Sequence, residues 1–204
     1  MPLIGDHAPE FHAMTTQGKI DFPADYKGSW VVLFSHPADF TPVCTTEFIA
    51  LSRMNETFES LNTKLIGLSI DSLHSHLGWI KSIEALNFNN EGKVKIPFPI
   101  IADISMNVAK KYGILQTVAN TQTVRAVFII DPEGMIRTIL YYPMSTGRNI
   151  PEIIRILQSL QVNDKTHYST PANWQPGDAV VMGAPLTIEE AQERLESSDN
   201  TIEH

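Results

Sequence analysis

The hydrophobic positions of the chain change period along its length, and each change marks an element. Trp30-Val31-Val32-Leu33-Phe34 is a short, unbroken apolar run that predicts a buried strand. Leu65–Ile70, the shorter Phe98–Ile101 and Val124–Ile130 predict three more. Asp131-Pro132-Glu133-Gly134 is a strong turn, after which Met135–Tyr142 returns as an antiparallel partner. Phe11–Ala13 and Lys19–Phe22 flank Thr15-Thr16-Gln17-Gly18 and predict a hairpin ahead of the main sheet.

Between these runs the apolar spacing becomes helical. Phe48, Ile49, Leu51, Met54, Phe58 and Leu61 predict one helix from Pro42 to Leu61. Leu73, Leu77, Ile80, Ile83 or Glu84, and Leu86 line one side of a second. Met106 to Tyr112 is a third, closed by Gly113. Asn149-x-x-Glu152 resembles a capping arrangement ahead of a fourth, with Ile150, Ile153, Ile154, Leu157 and Leu160 as its apolar side. Alternating strands and helices, then a hairpin and a helix, give an α/β layout: one mixed sheet with helices on both faces.

After about residue 164 the pattern breaks. His167 to Asp178 is turn-rich, and Thr187 with Glu189 and Glu190 opens a short acidic helix to about Leu195. The expected division is a main domain over 1–164 and an appendage over 165–204, whose last residues, Ser197 to His204, are frayed.

Composition narrows the function classes. The hydrophobic share of 43% supports a packed core, and a formal charge of −8 argues against nucleic acid as a partner. The N-terminus lacks a basic region and a long apolar run, so no signal peptide is expected. No apolar run is long enough to span a membrane. A cytoplasmic, reducing setting with no membrane partner follows as the expectation. A single cysteine in 204 residues excludes a disulfide framework within the chain and any multi-cysteine zinc site.

That cysteine, Cys44, follows the strand at Trp30–Phe34 and precedes the helical pattern. Thr41 is a good N-cap and Pro42 suits the first helical position. Cys44 then falls in the first turn, near unsatisfied N–H groups and the positive end of the helix dipole, where a thiol is biased toward reactive thiolate. The alternative is a buried, inert thiol, the commoner fate of a lone cysteine.

Pro37-x-x-x-Thr41-x-x-Cys44 resembles the active-site motif of the peroxiredoxins. The longer string Ser35-His36-Pro37-x-Asp39-Phe40-Thr41-Pro42-Val43-Cys44-Thr45-Thr46-Glu47 is similar to the one-cysteine group of that family. The resemblance implies a thioredoxin-like fold. It implies thiol-dependent reduction of hydrogen peroxide and alkyl hydroperoxides, with no organic or redox cofactor, since sulfur carries the chemistry. Cys44 is implied as the nucleophile that becomes a sulfenic acid. Thr41 and Arg125 are implied to bind the peroxide, and Pro37 to shield the sulfur. Glu47 and Arg148 match family positions expected to form a supporting ion-pair network. No resolving cysteine exists, so an external thiol is the expected reductant. A homo-oligomer is implied, a dimer or a ring of five dimers, with the C-terminal segment packed across the dimer partner. The competing reading is a redox scaffold or holdase whose Cys44 senses peroxide without turnover.

Several of these residues read differently in isolation. Pro37 is then a plain turn proline, Arg125 a surface charge at a strand end, and Glu47 a solvated helix carboxylate. His36 suggests a Cys–His nucleophile, but nothing else in the chain resembles such an enzyme; the family resemblance implies instead a histidine that packs under the loop or binds a metal or reductant. His74-x-His76, with Asp71 nearby, lacks further ligands at recognisable spacing and reads as a solvated helix start, so no metal is expected. Some relatives carry a phospholipase serine in Gly-x-Ser-x-Gly. Here the stretch is Lys27-Gly28-Ser29-Trp30-Val31, with Pro23 and Ala24 where the upstream histidine would fall, so no lipase activity is expected.

Overall fold

The computed structural model describes the backbone of residues 1–115, 122–196 and 201–202. The chain divides into two compact units, Met1–Ile150 and Pro151–His204.

The first unit is built on a seven-stranded mixed sheet. Its elements are β1 (Phe11–Thr15), β2 (Gly18–Phe22), β3 (Trp30–Ser35), α1 (Pro42–Arg53), α2 (Asn55–Ser60), β4 (Thr63–Ser69), α3 (Leu73–Ala85), β5 (Ile100–Ala102), α4 (Asn107–Tyr112), β6 (Arg125–Ile130) and β7 (Ile136–Tyr142). The strand order is β2-β1-β5-β4-β3-β6-β7. The pairs β3/β4 and β4/β5 are parallel, and the others are antiparallel.

Central strands covered on both faces show unbroken apolar runs, and β3 is buried at every position. Alternation sorts its side chains. Val31 and Leu33 join Ile66, Leu68, Ile101, Ala126, Phe128 and Ile130 in one cluster, with Val108, Ala109 and Tyr112 of α4. Phe34 faces the other way, edge-on to Phe48 of α1 with ring centres 5.4 Å apart. Gly67 lies opposite Phe34 in the β3/β4 register. A Cβ there would come within 3.4 Å of the Phe34 and Phe48 rings, so the missing side chain lets α1 lie close to the sheet.

The structure corrects the expected helices first. The helix expected over 42–61 is interrupted at Met54, whose φ of −93° and ψ of 3° separate α1 from α2. Asn55 opens the second piece, as a side chain that competes for helical backbone hydrogen bonds favours an end over an interior. On α3 the buried residues are His76, Trp79 and Ile83, whereas Leu77 and Leu86 of the expected stripe are 40% and 43% exposed. His76 is therefore no solvated helix start: hydrogen bonds described below draw it into the core, and they turn the helix off its leucine phase.

The second unit contains α5 (Ile150–Thr166, which starts one residue before it), β8 (Val180–Val181), α6 (Ile188–Glu196) and β9 (Thr201–Ile202). Its turn-rich segment folds back on α5. Arg155 pairs with Glu152 and donates to the Trp174 carbonyl at 3.2 Å, and Asn163 Nδ2 donates to the Tyr168 carbonyl at 2.8 Å. Thr187 Oγ1 caps α6 by accepting from Glu190 N at 3.1 Å. Thr201–Ile202 pairs antiparallel with Val180–Val181, so these two residues are not frayed. Residues 197–200 and 203–204, also expected to fray, lie outside the described residues.

Candidate active site

The centre of the first unit is the junction between β3 and α1. Open α/β sheets place their functional loops at the carboxyl ends of parallel strands, and the loop from His36 to Thr41 leaves β3 at such an end. Thr41 occupies the N-cap position with an extended backbone (φ −101°, ψ 146°), and Pro42 opens the helix. The hydroxyl does not cap it, however: Thr41 Oγ1 donates to the Ala38 carbonyl at 2.9 Å. The first-turn N–H groups of α1 therefore lack a side-chain cap, and the positive end of the helix is left for another acceptor. Cys44 lies in that turn and is fully buried, and Pro37 is buried in the loop before it.

Sheet register brings Arg125 to the sulfur. β6 runs antiparallel to β3 with Phe34 opposite Val127, so Arg125, two residues earlier, falls beside the loop that leaves β3. Its Nη1 donates to Cys44 Sγ at 3.3 Å and to Glu47 Oε2 at 2.8 Å, while Nε donates to the Met144 carbonyl at 2.9 Å. Glu47, one turn past Cys44, also takes three bonds from Arg148: from N at 2.9 Å and Nε at 3.0 Å to Oε1, and from Nη2 at 2.7 Å to Oε2. Arg148 Nη1 reaches the carbonyls of Ser35 and Ala126 at 2.9 and 3.2 Å. Its guanidinium carbon stands 5.1 Å from the centre of the Phe34 ring. Glu47 and Arg125 are each 3% exposed, which removes the surface readings of both.

This group has a charge sum that matters. Two guanidiniums face one carboxylate, leaving one net positive charge buried, and unpaired buried charge is costly. A sulfur carrying one negative charge, 3.3 Å from Arg125, brings the sum to zero.

A second buried cluster lies in the same loop. Asp39 accepts from His36 Nε2 at 2.9 Å on Oδ1, and faces His76 Nδ1 of α3 at 3.0 and 2.8 Å. His76 Nε2 lies 3.2 Å from the Ile101 carbonyl. Asp39 N donates to Asp71 Oδ2 at 3.0 Å, an oxygen that also accepts from Ser69 Oγ at 2.8 Å. The His36 ring packs on Phe48 and Trp79 with centres 4.9 and 5.0 Å apart. Burial pushes His36 below the usual histidine range against the pull of Asp39, so its contact with Asp39 is a neutral donor bond. Burial opposes ionisation of Asp39, but hydrogen bonds from His36 and His76 outweigh it and hold the carboxyl below its usual range. Ligand atoms of His36, Asp39 and His76 lie within 4.8 Å of one another, which makes this the one metal-sized grouping among the described residues.

The structure thus gathers Cys44, Glu47, Arg125 and Arg148 in direct contact, with Thr41, Pro37 and His36 on the adjoining loop. Asp39 and His76 are the residues that sequence reasoning missed. A signal existed: 76, 79 and 83 are helically spaced, and this alternative stripe on α3 carries a histidine.

A thioredoxin-like fold with a buried thiol under an arginine defines a thiol-dependent redox enzyme. Residues 4–139 match the AhpC/TSA family, and residues 159–198 match the C-terminal domain of 1-Cys peroxiredoxin. A peroxiredoxin of Methanosarcina mazei is 60% identical over 197 residues, covering 96% of this chain and 90% of the relative. The yeast mitochondrial 1-Cys peroxiredoxin, whose thiol resolution runs through glutathione/thioredoxin systems, superposes with a TM-score of 0.85 at 40% identity over 98% of this chain and 97% of its own. A cysteine-to-serine mutant of Peroxiredoxin 6 of Arenicola marina superposes with a TM-score of 0.84 at 38% identity, over 95% of this chain and 89% of its own. The chain belongs to the peroxiredoxin family, within its one-cysteine group. It is a thiol peroxidase, and its single cysteine fits the 1-Cys mechanism. No helix among the described residues is long and apolar enough to cross a membrane.

Proposed function

We propose that Cys44 reduces hydrogen peroxide and alkyl hydroperoxides as a thiolate held by Arg125 at the start of α1. The carrying observation is the 3.3 Å contact from Arg125 Nη1 to Sγ, within a buried group that is one negative charge short of neutral. The thiolate attacks one peroxide oxygen, forming S–O as O–O breaks. The departing oxygen takes a proton and leaves as water or an alcohol, and Cys44 becomes a sulfenic acid. Thr41 Oγ1 spends its proton on Ala38, so its lone pairs face the site as acceptors for the peroxide O–H. Arg125 and the uncapped N–H groups of α1 stabilise charge on the leaving oxygen. Pro37 shields the sulfur, Glu47 and Arg148 hold Arg125 in place, and His36 packs beneath the loop.

An external thiol then condenses with the sulfenic acid, releasing water and forming a mixed disulfide that a second thiol cleaves. Glutathione or a small dithiol protein has the required chemistry. The chain acts as a cytoplasmic homo-oligomer, a dimer or a ring of dimers. Residues 1–164 form the peroxidase domain, and 165–204 form an appendage at the dimer interface.

Stopped-flow peroxide consumption with a thiol donor tests this reading. Turnover should continue past one equivalent and be absent in Cys44→Ser; a halt at one equivalent would favour the sensor or holdase reading. Lipase activity is not expected, because Ser29 Oγ donates to Asn62 Oδ1 at 3.4 Å, an amide oxygen that cannot serve as a general base. Phospholipid hydrolysis lost in Ser29→Ala would contradict that.

A further inference from the structure

The His36–Asp39–His76 cluster does more than fill space. His76 Nε2 faces only a carbonyl oxygen, and Nδ1 faces both oxygens of Asp39. Each ring nitrogen of His76 thus faces an acceptor, the arrangement that suits a ring donating from both sides. His36 Nε2 supplies the second side-chain donor to Asp39, leaving His36 Nδ1 as a buried nitrogen with no partner. The four contacts close if protons fill the cluster. They close less well around a metal ion, since a metal on Nε2 would force an unpaired N–H onto Nδ1 of His36.

The clamp acts on the loop that leads to Cys44. Asp39 is held by side chain to His36 and His76 and by backbone to Asp71. The next residue, Phe40, has a φ of 56° and is 61% exposed, an uncommon conformation for an aromatic side chain. Such strain persists where neighbours over-determine the backbone. Here Asp39 is drawn inward on one side of Phe40, and Thr41 is tied to Ala38 and the start of α1 on the other.

We propose that His76 is a positioning residue for peroxide reduction: as a double donor from α3 it clamps Asp39, and through Asp39 it fixes the 36–41 loop that presents Thr41 and Cys44. The proposal rests on Cys44 being the nucleophile. A failure of that assignment would show separately, as turnover in Cys44→Ser.

The test is the second-order rate of Cys44 oxidation by hydrogen peroxide in pre-reduced protein. His76→Leu should lower it at least about tenfold, in line with the cost of misplacing a reacting group. His76→Asn, which keeps an N–H where Nδ1 stands, should recover most of that loss. In Asp39→Asn, adding His76→Leu should lower the rate no further, because the effect runs through Asp39. An unchanged rate in His76→Leu, or additive losses in the double variant, would overturn the proposal. Should His76→Leu not fold, His76→Asn and nitrogen-15 spectra of the wild-type protein still decide. Two protonated ring nitrogens on His76 at neutral pH support it, and a bare nitrogen overturns it. Uptake of one Zn²⁺ that is lost in His76→Asn would overturn it in favour of a metal site.

Discussion

Two buried polar clusters stand on either side of the Cys44 turn, and they are built on different principles. The Glu47–Arg125–Arg148 group uses side chains with fixed charge: both arginines remain protonated, and one carboxylate is shared between them. The His36–Asp39–His76 group is assembled from residues that titrate, and its contacts depend on where protons sit. The first group touches the sulfur and sets the field around it. The second touches the loop and sets its shape. Field and shape can therefore be perturbed separately.

The largest effect is expected from Glu47→Gln. Both guanidiniums would remain buried without their counter-charge, at a cost of about 3–5 kcal/mol. Denaturant unfolding should show that loss together with a collapse of peroxidase rate; a stability change below about 1 kcal/mol would mean the pairs are solvent-screened after all. Arg125→Lys should be milder for the fold but severe for the reaction. Lysine cannot reach Sγ, Glu47 and the Met144 carbonyl at once, so kcat/KM for peroxide should drop by roughly 10²-fold. A drop of less than threefold would transfer the stabilising role to the helix N–H groups alone.

The histidine cluster should reveal itself through pH. His36 titrates below its ordinary value of 6.5 in the folded chain, so on acidification the unfolded chain takes up that proton first. Stability should then fall as pH drops below about 6.5, by at most about 1.4 kcal/mol per pH unit. Asp39, held below the carboxylate range, adds a further loss only once pH falls through that range. Melting temperatures between pH 7.5 and 2.5 should show both stages, with the earlier one missing in His36→Gln. A flat profile down to pH 5 would place the His36 proton elsewhere.

The two clusters also differ in how far the sequence betrays them. Thr41, Pro42 and Cys44 were legible because a helix start is a local matter: an N-cap, a first-turn proline and the helical spacing that follows. The strands at 30–34, 65–70 and 124–130 were legible for the same reason. Arg125 was not, because no local signal tells which strand lies beside β3; only the antiparallel register with Phe34 opposite Val127 carries it to the sulfur. Family resemblance supplied what spacing could not. His76 failed differently. Hydrophobic periodicity weighted Leu77 and Leu86 above a histidine, whereas hydrogen bonds to Asp39 and the Ile101 carbonyl made the polar residue the buried one. Nor did periodicity register the break at Met54, where apolar spacing runs on unchanged across a local distortion of the backbone.

The charge sum at the sulfur changes when the enzyme does its work. Once Cys44 has taken up oxygen as a neutral sulfenic acid, Arg125 and Arg148 outnumber Glu47 with nothing to offset the surplus. The spent form therefore keeps one buried positive charge without a counter-charge, which costs the fold stability. It also draws in an anion, which is the form in which a reducing thiol reacts. Restoring the sulfur and restoring electroneutrality become the same event.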